Sequence, residues 1–415
     1  MSISEIYALF KNSDGIATDT RKIAKNQLYF ALKGANFNGN LFAQTALDNG
    51  ASYAIVDEVT SSNDKRIIQV EDALSTLQEL ATFHRKELAI PIIALTGSNG
   101  KTTTKELIHA VLSKKYKTTA TIGNLNNHIG VPLTLLSMDS YTEIGIVEMG
   151  ANHQKEIELL SEIAEPNFGY ITNFGKAHLE GFGGIEGVIK GKSELYQYLK
   201  KSNGTAIINT KDPIQIAKTK EFTTIHLNTD IALESAEPFV AIQFKNARIQ
   251  TNLIGVYNLY NIVAAITIGL HFEIEKTDIK QALEAYTPTN NRSQIIEKKG
   301  VKIVMDAYNA NPSSMKVALE NFHQMTAPHK TLILGDMFEL GITSIAEHQL
   351  IADLALQLNF NTIYLIGEHF SKVKAPKAVI CNSFEAFKDN FIKFPSTYLI
   401  KGSRGMALEK ILDFL

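Results

Sequence analysis

The sequence predicts an α/β protein with three domains. Its 415 residues exceed one ordinary core, because domains usually hold about 100 to 200 residues. Short apolar runs alternate with helical patterns along the chain, which is typical of sheets covered by helices. A new strand pattern begins after Ile90-Pro91, and another begins near Asn290. We therefore predict domains at residues 1–88, 89–290 and 291–415.

The composition is that of an ordinary globular protein, with 45% hydrophobic and 20% charged residues. The formal charge of -2, from 41 basic and 43 acidic residues, supplies no field that would gather nucleic acid, so we expect no such partner. A single cysteine, Cys381, cannot form an internal disulfide or a multi-cysteine metal site. It favours a reducing compartment, and a small buried hydrophobe is its ordinary role.

The sequence also argues against export and membrane insertion. Residues 1–30 contain Asp14, Asp19 and Arg21 and lack an apolar stretch of signal-peptide type. Nowhere do about 20 apolar residues run together, as a membrane-spanning helix requires. We expect a cytoplasmic protein without a membrane partner. The sequence leaves the oligomeric state open, and a monomer is the simplest expectation.

The N-terminal domain is predicted to be a small α/β unit. Its apolar runs at Gln27 to Leu32 and Tyr53 to Val56 have the length of strands, and Asp72 to Leu88 has a helical pattern. The central domain repeats the alternation, which predicts a parallel sheet covered by helices. Its predicted strands are Ile92 to Leu95, Ile144 to Met149, Tyr170 to Thr172 and Ala206 to Asn209, and its first predicted helix is Thr102 to Leu112.

The third domain is predicted to be a Rossmann-like doubly wound unit. Its apolar runs each end in polar or glycine-rich residues, and helical patterns lie between them: Lys302 to Met305, Thr331 to Leu334, Thr362 to Ile366 and Thr397 to Ile400. Doubly wound sheets bind ligands at the carboxyl ends of their strands. Those polar ends are therefore the expected location of the chemistry.

A phosphate-binding loop lies between the first strand and first helix of the central domain, which makes this a mononucleotide-binding domain of P-loop type. The strict P-loop pattern needs glycine where Leu95 stands, so the loop is a short variant. Its backbone N–H groups wrap a phosphate, Lys101 neutralises the β and γ oxygens, and Thr102 offers a hydroxyl to Mg²⁺. A chance Gly-Lys-Thr at a helix start is the alternative. The strand and helix on either side favour ATP binding by Thr96, Gly97, Ser98, Asn99, Gly100, Lys101, Thr102 and Thr103.

Two further side chains follow apolar strands in the central domain. A phosphate loop needs an acidic partner for the metal, usually at the end of a neighbouring strand, and Glu148 is placed for that role. A helix cap or a solvated strand-end glutamate is the alternative. His178 also follows an apolar run, although a lone histidine is more often a structural hydrogen-bonding residue.

Together these segments resemble the Mur ligase family, whose members use ATP to join an amino acid or dipeptide to a UDP-muramoyl carboxylate. The resemblance covers essentially the whole chain. It implies two Mg²⁺ ions, with Thr102 and Glu148 at one and His178 at the other. It also implies a carbamate on N6 of Lys192 as a ligand of the second ion. Lys190 is the alternative, and an unmodified surface lysine is the default without the family; the modification needs a neutral amine, which burial favours.

The resemblance assigns further nucleotide contacts. Asn258 and Asn261 match a segment that contacts the adenine side of ATP, and they otherwise look like polar residues at a helix start. Arg292 and Asp306 match the arginine and strand-end aspartate through which the third domain reaches the nucleotide, with a surface salt bridge as the alternative. Lys101, His178, Lys192 and Arg292 are then the expected catalytic residues.

The third domain resembles the family member that adds D-alanyl-D-alanine to a UDP-muramoyl tripeptide, in its segments Asp306–Met315, Gly335–Gly341 and Lys401–Met406. The Asp-Asn-Pro-Arg segment of the diaminopimelate-adding relative is absent from this sequence. Segments of the first domain resemble uridine-binding segments, and the loop Gly123–Gly130 resembles one that faces the muramoyl peptide. The expected substrate-binding residues are Thr20, Arg21, Lys33, Gly34, Asn38, Asn124, Asn126, Asn127, His128, Asn309 and Asn311.

The resemblance implies that ATP activates the carboxylate of UDP-N-acetylmuramoyl-tripeptide as an acyl phosphate, which D-alanyl-D-alanine then attacks. A ligase that adds diaminopimelate or lysine is the nearest alternative. Folylpolyglutamate-type synthetases lack a uridine-binding first domain, so residues 1–88 argue against them. An ATP-driven switch would not need His178 and Lys192 as metal ligands. The general base and the third residue of the tripeptide, diaminopimelate or lysine, stay open.

Overall fold

Three sheet-centred domains follow one another along the chain, as predicted, in a computed structural model that describes residues 1–59, 62–289 and 291–415. The predicted boundary residue Asn290 lies outside the described residues. In the part of the chain that is described, no helix is both long and apolar enough to cross a membrane.

The N-terminal unit is a parallel sheet with strand order β1-β2-β5-β6, together with a short antiparallel hairpin of β3 and β4. Its strands are β1 Ile16–Ala17, β2 Leu28–Phe30, β3 Lys33–Gly34, β4 Phe37–Asn38, β5 Tyr53–Val56 and β6 Ile67–Gln69. Its helices are α1 Ile3–Lys11, α2 Ala43–Asp48 and α3 Ala73–Leu88.

Helix α3 attaches the N-terminal unit to the central one. Apolar residues such as Leu77 and Leu80 recur at helical spacing and are buried, so one face of α3 packs into the core. Near its C-terminal end, Arg85 is buried and donates to the carbonyl of Ala164 at 3.2 Å and to Oδ1 of Asn167 at 2.9 Å. A buried arginine with these acceptors fixes how the two units meet.

The central unit contains a fully parallel sheet with strand order β12-β11-β10-β7-β9-β8, and an antiparallel sheet β13-β14-β15 that the sequence analysis did not predict. Its strands are β7 Ile92–Thr96, β8 Thr118–Ala120, β9 Ile144–Glu148, β10 Phe168–Ile171, β11 Thr205–Ile208, β12 Thr224–His226, β13 Ile231–Ser235, β14 Ala241–Phe244 and β15 Ala247–Gln250.

Helices surround this sheet, and α4 packs against α11 and α12. The helices are α4 Lys101–Leu112, α5 Gly130–Leu136, α6 Glu156–Ala164, α7 Leu179–Phe182, α8 Ile185–Lys192, α9 Glu194–Ser202, α10 Pro213–Lys218, α11 Leu259–His271 and α12 Lys276–Ala285. Strand β7 lies between β9 and β10, so the loop after β7 is bordered by the carboxyl ends of both neighbours. Such a position is where doubly wound sheets bind ligands.

The C-terminal unit has strand order β16-β17-β21-β18-β19-β20, parallel except for the antiparallel pair of β16 and β17. Its strands are β16 Gln294–Lys298, β17 Val301–Asp306, β18 Lys330–Gly335, β19 Thr362–Ile366, β20 Val379–Cys381 and β21 Thr397–Lys401. Its helices are α13 Pro312–Gln324, α14 Ser344–Gln357 and α15 Phe384–Asn390.

We predict that the N-cap of α3 contributes measurably to stability. Asp72 accepts a hydrogen bond from the Ser75 N–H at 2.6 Å, which satisfies one of the free donors at the helix start. Asp72→Ala should lower the free energy of unfolding by about 1 kcal/mol, measured by urea denaturation. Asp72→Asn keeps the acceptor and is the control; an equal loss in both variants would contradict the capping explanation.

Candidate active site

A cavity of about 900 Å³ opens between the central and C-terminal units. Most of the predicted site residues line it: Ser98, Asn99, Gly100, Lys101, Thr103, Asn124, Asn126, Asn127, His128, Glu148, His178, Asn258, Asn261, Arg292, Asp306, Asn309 and Asn311. Thr96, Gly97, Thr102 and Lys192 are buried behind its wall. The first-domain residues Thr20, Arg21, Lys33, Gly34 and Asn38 do not line it.

The loop after β7 is held in shape by the end of β10. Gly97 has φ +142°, and a Cβ there would lie 2.0 Å from Oγ1 of Thr172, so only glycine fits. The Thr172 hydroxyl donates to the Asn99 carbonyl at 2.6 Å. In turn, the backbone of Asn173 accepts from the Ser98 N–H at 3.1 Å, and its side chain accepts from the Asn99 N–H at 3.1 Å. The loop is therefore preorganised before any nucleotide binds.

Helix α11 lies against the start of α4. Gly100 has φ +80°, and a Cβ there would lie 2.7 Å from Oδ1 of Asn261. The same oxygen accepts from the Thr104 hydroxyl at 3.0 Å, and Nδ2 of Asn261 donates to Asn258 at 2.8 Å. Asn261, one of the two predicted adenine-side asparagines, thus packs directly on the phosphate loop and its helix, and Asn258 supports it.

Lys101 bends back over the loop, with Nζ donating to the Gly97 carbonyl at 2.7 Å. Burial lowers the pKa of Lys101 from its ordinary value; the Glu148 charge opposes this shift and the Arg292 charge adds to it. The lysine therefore belongs to the same electrostatic site as a carboxylate of the central unit and a guanidinium at the start of the C-terminal unit.

Glu148 is 1% exposed, and both of its carboxylate oxygens have partners. Oε2 accepts from the Thr102 hydroxyl at 2.8 Å, and Oε1 accepts from Nδ2 of Asn126 at 2.8 Å. The Glu148 N–H donates to the Thr121 hydroxyl at 2.9 Å, which fixes the strand end. The carboxylate and the Thr102 hydroxyl are hard oxygen donors of the kind that Mg²⁺ prefers. The structure also links Asn126, predicted as a substrate contact, to this carboxylate.

Lys192, at the end of α8, is 1% exposed. Its Nζ donates to the Ala151 carbonyl at 3.1 Å and lies 5.0 Å from the centre of the Phe182 ring. Burial lowers the pKa of Lys192 well below its ordinary value, and the charge of Lys101 lowers it further. Lys190, two residues earlier, is exposed.

The C-terminal unit contacts the phosphate loop directly. Nδ2 of Asn311, the N-cap of α13, donates to Oδ1 of Asn99 at 2.8 Å. On the far side of the cavity, Nδ1 of His178 is hydrogen-bonded to the Glu339 carboxylate, and the Glu180 N–H donates to the Glu339 carbonyl at 3.2 Å. His178 and Glu339 both have positive φ, at +53° and +61°. Strained backbone of this kind concentrates at functional sites.

Asp306 at the end of β17 is paired rather than free. Its Oδ2 lies 2.6 Å from Nζ of Lys401, which ends the neighbouring strand β21 and also donates to the Asn309 carbonyl at 3.2 Å. Its Oδ1 accepts from the Ser293 N–H at 3.1 Å. The pair fixes one wall of the cavity, and the Arg292 side chain lies beside it over the Tyr308 ring.

The predicted first-domain residues lie away from the cavity lining, and several of them have their own charged partners. Nζ of Lys33 lies 3.1 Å from Oδ1 of Asp57, and Nδ2 of Asn38 donates to Glu58 at 2.8 Å. Arg21 is paired with Asp19, and this pairing lowers the pKa of the Asp19 carboxyl to about 2. The first domain contacts the loop Gly123–Gly130, which lines the cavity, through a hydrogen bond of 2.9 Å from the Gln78 side chain to the His128 carbonyl.

Sequence reasoning missed several residues that shape the cavity: Asn173, Tyr257, Tyr308, Glu339 and Lys401. Asn173 and Lys401 lie at the carboxyl ends of parallel strands, where the same rule that selected Glu148 could have found them. Tyr257, Tyr308 and Glu339 lie in loops or short turns, and their positions depend on how the second and third units dock.

Known protein families match each of the three units of the chain. Three family descriptions match: "Mur ligase family, catalytic domain" at residues 12–85, "Mur ligase middle domain" at residues 95–269, and "Mur ligase, glutamate ligase domain" at residues 291–407. A UDP-N-acetylmuramoyl-tripeptide–D-alanyl-D-alanine ligase from Bacillus subtilis is 34% identical, over 97% of this chain and 93% of its own length. The chain belongs to the Mur ligase family.

Further relatives of this Mur ligase match it over nearly their whole length. The ligase of the same description from Escherichia coli is 30% identical, over 97% of this chain and 93% of its own length. A crystal structure of MurF from Acinetobacter baumannii is 29% identical and superposes with a TM-score of 0.85, over 98% of this chain and 97% of that one. MurF from Thermotoga maritima in complex with ADP is 26% identical, with a TM-score of 0.84 over the same shares. The three-domain α/β fold predicted from the sequence is confirmed.

We predict that Gly97→Ala will weaken ATP binding by more than about tenfold, because a strained loop residue costs of order 1–3 kcal/mol and the new Cβ would displace Thr172. Isothermal titration calorimetry with a non-hydrolysable ATP analogue measures the effect. Gly300→Ala is the matched control, since Gly300 also has positive φ but its Cβ would meet nothing within 4 Å. Equal, unchanged affinity in both variants would contradict the assigned role of the loop.

Proposed function

We propose that this Mur ligase joins D-alanyl-D-alanine to UDP-N-acetylmuramoyl-tripeptide, with conversion of ATP to ADP and phosphate. The reaction belongs to peptidoglycan precursor synthesis, and through it to cell shape and division. The observation that carries the proposal is one cavity in which a preorganised phosphate loop, the buried Glu148 and the Arg292 of the next domain meet. The names and near-complete coverage of the relatives support the same substrates.

The proposed reaction begins with activation of the carboxylate, because an amine cannot displace a carboxylate oxygen until that oxygen is a good leaving group. An oxygen of the tripeptide carboxylate attacks the γ phosphorus of ATP, the bond to the β–γ bridging oxygen breaks, and ADP leaves with that electron pair. The amine of D-alanyl-D-alanine then attacks the acyl carbon, a proton leaves the nitrogen, and phosphate departs as the amide forms. Lys101 and Arg292 offset the charge on the transferring phosphoryl group, which is the main catalytic task in such a step.

The oxygen donors at the end of β9 fit Mg²⁺. Thr102 and Glu148 would hold one ion, since their oxygens lie together beside the phosphate loop. His178 and a carboxylated Lys192 would hold a second. Bound Mg²⁺ supplies charge neutralisation on phosphate oxygens. In the described part of the chain, no group of three or more His, Cys, Asp and Glu side chains could hold a metal ion.

Carboxylation of Lys192, rather than Lys190, is supported by burial. The modification requires an uncharged amine, and the lowered pKa of Lys192 supplies it, whereas Lys190 is exposed. A carbamate would also place an anion near the positive charge of Lys101. We propose Lys192 as the modified residue.

The remaining predicted residues would bind the two ends of the muramoyl substrate. The first-domain residues Thr20, Arg21, Lys33, Gly34 and Asn38 would bind the uridine nucleotide. Asn124, Asn126, Asn127 and His128 line the cavity and would bind the muramoyl peptide. Asn309 and Asn311 would contact substrate from the C-terminal side. The contact of Gln78 with His128 connects the first domain to this loop.

We further propose domain boundaries at 1–88, 89–290 and 291–415, and a monomer that acts in the cytoplasm without nucleic-acid or membrane partners. The matched regions 12–85 and 95–269 lie on either side of the first proposed boundary, and the third matched region begins at residue 291. Asn311, His178 and Glu339 already join the second and third domains across the cavity. We propose that the two domains close over the cavity, which would shield an acyl phosphate from water.

A substrate-omission assay tests the activity. The purified protein would be given ATP, Mg²⁺, UDP-N-acetylmuramoyl-tripeptide and D-alanyl-D-alanine, with phosphate release and product mass recorded. We expect phosphate release to need both co-substrates and the product mass to rise by one dipeptide. Release that ignores the dipeptide would instead indicate an ATP-driven switch. Product formation only with diaminopimelate or lysine, on a dipeptide acceptor, would indicate a sister ligase.

We predict that Lys192→Ala will lower kcat by more than about 100-fold, because a lost metal ligand removes several kcal/mol of transition-state stabilisation. Added acetate should restore part of the activity by supplying a carboxylate. Lys190→Ala is the matched control and should keep wild-type turnover. Intact-mass or ¹³C NMR detection of the carbamate in wild type and in Lys190→Ala, but not in Lys192→Ala, gives a readout independent of activity; normal turnover of Lys192→Ala would refute the assignment.

A further inference from the structure

Arg292 is a guanidinium with an incomplete set of polar contacts. Its Nε is buried and has no hydrogen-bond partner among the residues that the structure describes. The side chain nevertheless lines the same cavity as the phosphate-loop residues Ser98 to Lys101. Some other contact must hold the guanidinium in place.

The nearest aromatic ring supplies that contact. Cζ of Arg292 lies 3.7 Å from the centre of the Tyr308 ring, well inside the range of about 6 Å for a cation–π interaction. A guanidinium that lies against a ring face keeps its N–H edge free to donate to phosphate oxygens. Arg404 is farther away, with Cζ at 5.7 Å from the same ring, and it pairs with Glu409 at 3.5 Å.

The backbone of Arg292 is fixed independently of this ring. Its neighbours Asn291 and Ser293 have φ of +55° and +53°, both in the left-handed region. The Ser293 N–H donates to Asp306 at 3.1 Å, and its hydroxyl lies 2.6 Å from the Tyr257 hydroxyl. These contacts place the backbone of Arg292 at the edge of the cavity. The orientation of its side chain then depends on its contact with Tyr308.

We propose that Tyr308 is a positioning residue: its ring holds the Arg292 guanidinium against one face, so that the N–H groups point to the phosphates of ATP. The inference rests on the proposed function only in that Arg292 contacts phosphate. The chemical requirement is an aromatic face, and the Tyr308 hydroxyl is not needed. Tyr308 lies on the cavity wall and is partly exposed, so its replacement does not open a core.

Two substitutions separate the ring from its hydroxyl. Tyr308→Leu should weaken the binding of a non-hydrolysable ATP analogue, measured by calorimetry, and should also lower kcat/KM for ATP. Each effect should be about 3- to 30-fold, as expected for a lost cation–π contact. Tyr308→Phe should stay within about twofold of wild type, since the ring is kept. If Tyr308→Phe loses as much as Tyr308→Leu, the ring is not the active feature and the proposal is overturned.

A double-mutant cycle then asks through which cation Tyr308 acts. In an Arg292→Met background, Tyr308→Leu should cause no further loss of analogue affinity, because the interaction is already gone. In an Arg404→Met background, the full loss should persist. Equal losses in the Arg292→Met and wild-type backgrounds, or disappearance of the loss only in the Arg404→Met background, would overturn the proposal.

Two measurements keep the outcome interpretable. Thermal midpoints show whether Tyr308→Leu is folded, and Tyr308→Gln replaces it in the cycle if it is not. Analogue binding requires neither the muramoyl substrate nor the dipeptide. Failure of the omission assay with an intact coupling between Tyr308 and Arg292 would therefore reject the proposed substrates and leave the positioning role standing.

Discussion

The structure depends on the fit between the loop after β7 and the end of β10. Gly97 has no space for a side chain because Thr172 fills it, and Thr172 and Asn173 hold the backbone of Asn99. These bonds form a phosphate cradle before nucleotide binds, so the ordering cost is met during folding. Asn99 then offers its side chain to Asn311 of the third domain. The loop that binds phosphate is thereby also the contact at which the two domains meet.

Several interactions at the site connect parts that are distant in sequence. Glu148 accepts hydrogen bonds from the phosphate-loop helix through Thr102 and from the Gly123–Gly130 loop through Asn126. A shift of that loop would therefore reach the Glu148 carboxylate, which is the proposed Mg²⁺ ligand. Such a shared acceptor gives a physical route by which one substrate can influence the placement of another.

Local sequence was sufficient to predict which side chains lie at the ends of buried parallel strands. The strand, glycine loop and helix at Ile92–Leu112 follow from apolar periodicity and glycine spacing, and Glu148 follows from the strand-end rule. The contact of Arg292 with Tyr308 could not be predicted, because it depends on left-handed backbone at Asn291 and Ser293 and on domain docking. The antiparallel sheet β13-β14-β15 escaped for another reason: its first strand is largely exposed, and its apolar signal is weak.

The charges at the cavity argue for an anionic ligand on energetic grounds. Lys101, Lys192 and Arg292 form no salt bridge in the described parts of the chain, although each is at least partly buried. Burial is the largest cause of the lowered pKa of both lysines, and a neighbouring cation adds to it in each case, Arg292 at Lys101 and Lys101 at Lys192, against the opposing charge of nearby glutamates. A bound triphosphate would offset the positive charge of Lys101 and Arg292. At Lys192, the proposed carbamate would supply a negative charge, as suits a ligand of Mg²⁺.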